Sequence, residues 1–293
     1  MTAAGRAPAP YGEEDEADTE DAEDTERATD MTGQADMTGP VENPAAGATT
    51  GSLALVTGAT SGVGLAVARR LAATGHEVLM NYAHDEERAL TAEKELAEAG
   101  GRVRLLRADV GTPLGVVRLL EEVRGAYGRL DVLVHSAGSF HPMSTTAPRV
   151  EGCLRDGAIA LGPLVYGAGR LGELLTPGAG RLVAVSGAGA RSVVPGYAGL
   201  GMAKAALESM VRYLAVELAG RGVAVNAVAA GKLAPDGPDR LPAEALARIV
   251  ARTPAGRLTS ADEVAGVVAL LCRPEAAALH GQVLTVDGGA GLL

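Results

Sequence analysis

The chain of 293 residues is 47% hydrophobic and carries a formal net charge of -10, and this length and composition suit one sizeable α/β domain. The acidic balance and the lack of a basic stripe exclude nucleic acid as the expected partner. The sequence contains no signal-peptide core, and no apolar run approaches the ~18 residues of a membrane span, so we expect a cytoplasmic protein without a membrane partner.

The first 50 residues are predicted to form a disordered acidic tail, and residues 51–293 the folded domain. The tail contains 13 of the 36 acidic residues but only two of the 26 basic ones, and its low apolar content cannot offset the entropy of ordering it. A solvated extension is the simple interpretation, and docking to a basic partner is the functional alternative. The two cysteines and five histidines show no ligand spacing, so no metal site is predicted.

From residue 53 onward, short β-rich runs alternate with helical patterns. The seven strand candidates are 53–58, 76–82, 102–110, 130–138, 180–187, 223–231 and 281–289. Strands separated by helices require right-handed crossovers and give a parallel sheet that is covered on both faces. The predicted fold class is therefore α/β, a doubly wound Rossmann fold with a seven-stranded, mostly parallel sheet.

The first strand runs directly into "TGATSGVGLAVARRLAATG", which places glycines at positions 58, 62 and 64. Such glycines let the chain turn sharply and let a pyrophosphate approach the free N–H groups at the start of the next helix. Strand, glycine motif, helix and second strand follow in the required order. The residues predicted to form this part of a dinucleotide site are Gly58, Ser61, Gly62, Val63 and Gly64.

From about residue 53 to its end the chain resembles a short-chain dehydrogenase/reductase. Besides the glycine motif, the resemblance rests on "HSAG" at 135–138, "NAVAAG" and "LTVDGG". It implies that Asp109 and Val110 lie at the adenine, and that the subunits form a homodimer or homotetramer. The other cofactor-binding residues that it implies are Ser136, Ala137, Gly138, Lys204, Gly231 and Leu233.

The choice of dinucleotide depends on the end of the second strand, where Asn81 and Tyr82 stand. An acid there normally accepts hydrogen bonds from the ribose 2′-OH of NAD, and a base nearby accommodates the 2′-phosphate of NADP. The missing acid favours NADP(H), and the "NY" pair resembles NADPH-using relatives. The acids at 85–87 and the lack of an adjacent arginine favour NAD(H). We expect NADP(H), with Asn81 in its site.

The stretch "GYAGLGMAK" carries the chemistry, because the acid tyrosine that the family keeps four residues before Lys204 is replaced by Leu200. Tyr197 lies seven residues before Lys204, and seven helical residues return to within ~20° of the same face. We predict that Tyr197 donates a proton to, or stabilises, a developing oxyanion. Lys204 is expected to hold the nicotinamide ribose and to lower the pKa of the tyrosine.

This Tyr-x6-Lys spacing resembles that of enoyl-acyl-carrier-protein reductases. In such a reaction the charge develops on a carbonyl oxygen three bonds from the carbon that receives the hydride, so the acid must stand farther away. The usual serine position is Gly187, and Ser186, one residue earlier, is the third catalytic candidate. The usual asparagine position falls near Ile159. The expected function is NAD(P)H-dependent reduction of the C=C bond of an enoyl thioester, on a small-molecule or carrier-bound acyl substrate.

Two alternatives stay open. One is a divergent or non-redox relative of specialised metabolism, such as a ketoreductase, cyclase or dehydratase; the missing serine and asparagine favour it, as does Pro235 at the usual threonine position. The other is a dinucleotide-binding regulatory protein whose function is carried by the acidic tail rather than by catalysis. Residues 232–256 are expected to form a substrate lid, since mobile segments of this kind often set specificity.

Overall fold

A computed structural model describes residues 51–235 and 242–292, so the predicted acidic tail over 1–50 lies outside the described residues. The described chain contains one seven-stranded sheet in the order β3-β2-β1-β4-β5-β6-β7, in which all neighbours are parallel. The strands are β1 (Leu53–Thr57), β2 (Glu77–Tyr82), β3 (Arg102–Arg107), β4 (Val132–His135), β5 (Arg181–Gly187), β6 (Ala224–Ala230) and β7 (Val283–Val286). The predicted doubly wound α/β fold is confirmed.

Helices cover both faces of this sheet. They are α1 (Gly62–Ala73), α2 (Glu86–Glu98), α3 (Pro113–Tyr127), α4 (Val150–Tyr166), α5 (Ala168–Leu174), α6 (Ala198–Ala219), α7 (Ala243–Ala251) and α8 (Ala261–Leu271). Over 51–235 and 242–292, none of them is both long and apolar enough to cross a membrane.

The central strand β1 shows why both faces are covered, because all five of its residues are buried. Leu53 and Leu55 belong to a buried cluster with residues of α3, α4, α5 and α6, whereas Ala54 and Val56 belong to a second cluster with residues of α1, α2 and α8. Successive side chains of a strand point to opposite faces, and burying each leucine contributes about 1.5–3 kcal/mol. The continuous apolar run "LALV" therefore builds two cores at once.

The sheet order reverses at β1, which pairs with β2 on one side and with β4 on the other. The register places Thr57 opposite Asn81 of β2 and opposite His135 of β4. In doubly wound sheets the ligand crevice lies at the carboxyl ends of the strands where the order reverses. The fold therefore brings the glycine turn after β1 and the "HSAG" segment after β4 to one crevice.

Helix α4 packs unusually close to this crevice. A Cβ atom added at Gly162 would lie 2.0 Å from the carbonyl oxygen of Val110, in the turn after β3. Only glycine allows this approach without displacing the backbone. The glycines of "EGCLRDGAIALGPL" are thus partly a packing requirement of a helix that lines the site.

Candidate active site

The turn between β1 and α1 has the geometry that an anionic ligand requires. Gly58 and Gly62 adopt positive φ angles of 65° and 51°. A Cβ added at Gly64 would lie 2.0 Å from the carbonyl oxygen of Gly58, and one added at Gly58 would lie 2.8 Å from Cα of Ala137. Ser61 precedes the first turn of α1 and makes no side-chain cap hydrogen bond there. The helix start is therefore able to receive a phosphate.

A cleft of about 570 Å³ extends from this turn along the carboxyl edge of the sheet. The structure brings most of the predicted cofactor-binding residues to it, namely Gly58, Ser61, Val63, Gly64, Asn81, Asp109, Val110, Ser136, Ala137 and Gly138. Among the lining residues that sequence reasoning did not single out for this site, three carry basic side chains: His84, His141 and Arg155.

Gly231 and Leu233, which follow β6 and were predicted to bind the cofactor, are not among the residues that line the cleft. Gly231 follows β6, and a Cβ added there would lie 2.8 Å from Cβ of Asp287. Leu233 forms an isolated parallel bridge with Thr259. This pairing anchors the beginning of the predicted lid, of which residues 236–241 lie outside the described residues and α7 forms the second half.

Asn81 is buried, and its side chain forms hydrogen bonds that connect two strands of the sheet. Its Nδ2 atom donates to the carbonyl oxygens of Leu106 at 3.2 Å and Ala108 at 3.0 Å, so it fastens the end of β2 to β3. The next residue along the strand, Tyr82, also lines the cleft. No carboxylate occupies the position at the end of β2, in agreement with the sequence.

Asp109 is held in place by Arg155 of α4. Its carboxylate accepts hydrogen bonds from Nη2 of Arg155 at 3.0 and 2.8 Å and from the amide of Gly111 at 2.9 Å. Partial burial opposes ionisation of Asp109, but these hydrogen bonds and the positive charge of Arg155 outweigh it and lower the pKa of the carboxyl. The sequence contained no sign of this pair, whose members are 46 residues apart.

His135 links three elements behind the cleft. Its Nδ1 atom accepts a hydrogen bond from the hydroxyl of Thr57 at 2.7 Å, and its Nε2 atom donates to the carbonyl oxygen of Ala160 at 2.9 Å. The Thr57 oxygen in turn accepts from the amides of Ser136 and Ala137, both at 3.2 Å. The imidazole therefore fixes the "HSAG" turn against β1 and α4.

Lys204 is buried, and its Nζ atom donates to the carbonyl oxygen of Val185 at 2.6 Å. Burial disfavours the ammonium and lowers the pKa of Lys204 to about 8. Burial, reinforced by the positive charge of Lys204, also lowers the pKa of His135 to about 4. His135 is therefore neutral at pH 7, whereas Lys204 is mainly protonated.

Tyr197 stands immediately before the first residue of α6. Gly189, in the connection between β5 and α6, makes room for its ring, because a Cβ added there would lie 2.3 Å from the tyrosine Cδ1 atom. The hydroxyl lies at the end of β5, 3.6 Å from the position of a Cβ added at Gly187. The ring of Phe140 lies beside it, with 5.2 Å between the ring centroids. The hydroxyl is thus directed at the carboxyl end of β5.

The side chains of Tyr197, just before α6, and Lys204, within α6, both reach β5. The Tyr197 hydroxyl lies at Gly187 and the Lys204 ammonium at Val185, two positions apart in β5, which corresponds to a rise of about 6.6 Å. Leu200, at the position of the usual tyrosine, is buried in a small cluster with Ala160 and packs with Tyr197. The start of α6 therefore carries its hydroxyl three residues earlier than the usual pattern.

The pKa of Tyr197 differs from the expectation. Burial of the side chain and the negative charge of Asp156 raise the pKa of its phenol, whereas the sequence led us to expect that Lys204 lowers it. In this arrangement Tyr197 is a protonated hydrogen-bond donor.

Ser186 is turned toward α6. Its hydroxyl donates to Oε1 of the buried Glu208 at 2.7 Å, and Oε2 of the same carboxylate accepts from Nε of Arg191 at 2.9 Å. Arg191 lies just beyond β5, in the connection that leads to Tyr197. The network therefore joins the strand, the connection and the helix that carry the site.

A second buried carboxylate lies on the other side of the cleft. Asp156 of α4 has a fully buried side chain. It accepts hydrogen bonds from the hydroxyl of Ser139 at 2.7 Å and from Nδ1 and the backbone amide of His141 at 2.8 and 3.2 Å. A Cβ added at Gly152 would lie 2.6 Å from Cβ of His141, so this glycine is what lets the imidazole lie against α4.

The similarity of the chain to known proteins agrees with this geometry. A family model described as enoyl-(acyl carrier protein) reductase matches residues 58–291. The chain belongs to the short-chain dehydrogenase/reductase superfamily. Its predicted membership is thereby confirmed, and the chain is an NAD(P)-dependent oxidoreductase of this superfamily.

Individual relatives include reductases of two kinds. The chain is 36% identical over 247 residues to the 1-cyclohexenylcarbonyl-CoA reductase of Streptomyces collinus, with 82% of this chain and 87% of that protein covered. It is 34% identical over 244 residues to a 3-oxoacyl-[acyl-carrier-protein] reductase of Synechocystis, with 83% and 98% covered. Relatives that are about equally similar to this chain therefore carry the names of different reductases.

Solved structures of the superfamily agree with the fold. A short-chain dehydrogenase from Burkholderia cenocepacia in complex with NADP superposes with a TM-score of 0.75 at 31% identity, over 82% of this chain and 97% of that one. A single-residue variant of actinorhodin polyketide ketoreductase with NADPH gives a TM-score of 0.76 at 35% identity, over 83% and 98%.

The residues of this short-chain dehydrogenase/reductase fit a dinucleotide. The turn before α1 leaves its amides accessible and tolerates no Cβ at Gly64. The cleft continues from there past Asp109 to Val185, beneath which Lys204 is held. Over 51–235 and 242–292, no group of three or more His, Cys, Asp and Glu side chains is placed to hold a metal ion.

Proposed function

We propose that this short-chain dehydrogenase/reductase uses NADP(H) to reduce the C=C bond of an enoyl thioester. The observation that carries the proposal is the convergence of Tyr197 and Lys204 on the end of β5, with Leu200 buried at the usual tyrosine position. The description of the matching family model and the name of the Streptomyces collinus relative support it.

The cofactor preference is argued from the end of β2 and from the structural neighbours. Asn81 and Tyr82 offer no carboxylate to a ribose 2′-hydroxyl, so the acid that selects NAD is missing there. Neighbours solved with NADP or NADPH support the same choice. In this proposal the β1–α1 turn holds the pyrophosphate, and Asp109 and Val110 lie at the adenine.

When bound, the nicotinamide supplies a hydride to the β-carbon of the substrate. Tyr197 donates a hydrogen bond from its hydroxyl to the thioester carbonyl oxygen, on which negative charge develops. The raised pKa of Tyr197 keeps its proton in place until that charge appears. Lys204 is buried, and a positive charge in buried surroundings interacts more strongly than in bulk water.

Ser186 takes a positioning role in this proposal. Its hydroxyl is committed to Glu208, which also holds Arg191. We therefore assign Ser186 to orienting the β5–α6 connection that presents Tyr197. The acyl group is carried on a small molecule or on a carrier.

The test compares the oxidation of NADPH and NADH with crotonyl and acetoacetyl thioesters, using the wild type and Tyr197→Phe. We expect NADPH-dependent turnover of the crotonyl thioester that falls at least about 100-fold in the variant, since removal of one oxyanion donor has effects of that size. Tyr213→Phe, on an exposed part of the same helix, is the matched control. A wild type that binds NADPH but reduces no enoyl thioester contradicts the proposal.

A ketoreductase is the second candidate, because the Synechocystis relative and the actinorhodin enzyme carry ketoreductase names. The contacts of the serine region count against it. Position 187 is a glycine, and the neighbouring Ser186 hydroxyl is bound to Glu208. Faster turnover of the acetoacetyl than of the crotonyl thioester would decide in its favour.

A further inference from the structure

The pair formed by His141 and Asp156 is a chemical group at the cleft to which the proposed function gives no task. The Asp156 side chain is fully buried, whereas 39% of the His141 side chain is exposed. An ionised carboxylate only accepts hydrogen bonds, so the 2.8 Å contact makes Nδ1 of His141 the donor. The other ring nitrogen, Nε2, is then the atom that can take up and release a proton.

The imidazole of this pair lines the cleft that is proposed to hold the cofactor. His141 lines the same cleft as Gly138 and Val185, and the carbonyl oxygen of Val185 holds Lys204. The loop that carries His141 also contacts the tyrosine: Met143 donates its amide to Gly196 at 3.0 Å, and Phe140 lies against the Tyr197 ring. The imidazole lines this cleft, whereas Tyr197 lines a second cavity that Met143 and Gly196 help to form.

Reduction of the enoyl C=C bond also requires a proton at the α-carbon. Once hydride reaches the β-carbon, the π electrons of the C=C bond move into an enolate, whose oxygen Tyr197 stabilises. The α-carbon must still acquire a proton before the saturated thioester is formed. Tyr197 is directed at the oxygen in this scheme, which leaves the α-carbon without an assigned donor.

We propose that His141, oriented by Asp156, is the general acid that protonates the α-carbon, an inference that rests on the proposed enoyl reduction. The Nε2–H bond breaks as the α-carbon–H bond forms, and the enolate electron pair becomes the new C–H bond. His141 is left as a neutral imidazole that still donates from Nδ1 to Asp156. Solvent returns the proton through the exposed part of the ring.

The charges around His141 suit this cycle. Asp156 accepts hydrogen bonds from both His141 and Ser139, its charge also acts on the Tyr197 phenol, and Arg155 lines the same cleft from α4. The Asp156 carboxylate therefore places a negative charge directly against the imidazole. Arg155 is committed to Asp109, which partly offsets its positive charge.

The first experiment measures kcat and KM for the crotonyl thioester with NADPH from pH 5 to pH 10 in wild type, His141→Gln and the control His76→Gln, whose histidine lies at the opposite edge of the sheet. We expect kcat of His141→Gln to fall about 100-fold, the usual size of general acid catalysis, with KM and NADPH affinity little changed. Imidazole added to His141→Ala should restore part of the rate. Wild-type turnover that His141→Gln leaves unchanged overturns this inference alone, and no enoyl turnover in the wild type overturns the proposed function with it.

A second measurement separates proton delivery from a structural role. With the trans-2-methyl-2-butenoyl pantetheine thioester, α-carbon protonation creates a stereocentre, and wild type is expected to give one configuration of the product. His141→Gln should give a mixture, because solvent then protonates the enolate from both sides. Asp156→Asn should keep the single configuration but lower kcat, since the carboxylate that orients the imidazole through Nδ1 is lost. A single configuration from His141→Gln contradicts the inference.

Discussion

The buried ammonium of Lys204 makes the reaction and the stability respond oppositely to pH. Its pKa of about 8 means that the positive charge is present below that pH and is lost above it. We expect the kcat/KM of the wild type to decline as the pH rises through about 8. Initial rates with NADPH and the crotonyl thioester, measured between pH 6 and pH 10, check this.

The stability change has the opposite sign. Between pH 8 and 10.5 the unfolded chain keeps the Lys204 proton that the folded chain has released, so the free energy of unfolding rises with pH. The shift from 10.5 to about 8 corresponds to about 3 kcal/mol. Urea unfolding of wild type and Lys204→Met at pH 7 and pH 10.5 should show their difference move by that amount in favour of wild type. A pH-independent difference contradicts the assignment.

Single side chains differ in how far the sequence predicts their place in the site. Tyr197 and Lys204 were singled out from the family resemblance and their spacing, and the structure brings both to the end of β5. His141 and Asp156 were missed because their meeting depends on a loop conformation and on Gly152. Helical periodicity carries no information about such a contact.

The elements were predicted more reliably than their ends. All seven strand candidates are strands, but the predicted fourth strand, 130–138, shortens to Val132–His135. The reason is local: the amides of Ser136 and Ala137 turn to the Thr57 hydroxyl instead of continuing a ladder. The third candidate, 102–110, likewise ends at Arg107, before the turn that contains Asp109. Apolar and β-branched residues persist there, although the chain has already left the sheet to line the cleft.

Helix α4 offers a test of close packing. A methyl group at Gly162 meets the backbone of Val110 at 2.0 Å, so Gly162→Ala should lower the free energy of unfolding by about 1–3 kcal/mol through overpacking. Gly157→Ala in the same helix meets no atom within 4 Å and should be neutral or stabilising by up to ~1 kcal/mol. Urea denaturation of both variants checks the difference, and equal effects would mean that helix propensity dominates.

At the scale of the whole molecule, subunit association stays a prediction from the family resemblance. The outer faces of α4 and α6 expose large apolar side chains, including Leu154 at 68%, Tyr213 at 68% and Val216 at 79%. Such exposed apolar side chains are a feature of association surfaces. The predicted homodimer or homotetramer would cover them.

A single charged side chain introduced on this surface tests the predicted association. We expect light scattering after size exclusion to show a dimer or tetramer for the wild type, and smaller species for Val216→Glu, because the carboxylate would be buried in the contact. Leu114→Glu introduces the same charge at an exposed position of α3 and should leave the mass unchanged. A monomeric wild type contradicts the prediction.

The strand order affects how the chain folds while it is being synthesised. β1 is an interior strand of the sheet, yet its partner β4 follows far along the chain, with Thr57 and His135 separated by 78 positions. At ribosomal speeds of about 5–20 residues per second, one edge of the apolar run "LALV" waits about 4–16 s for its neighbour. During synthesis, this apolar strand edge stays unpaired over that interval, and unpaired apolar strand edges are prone to aggregation.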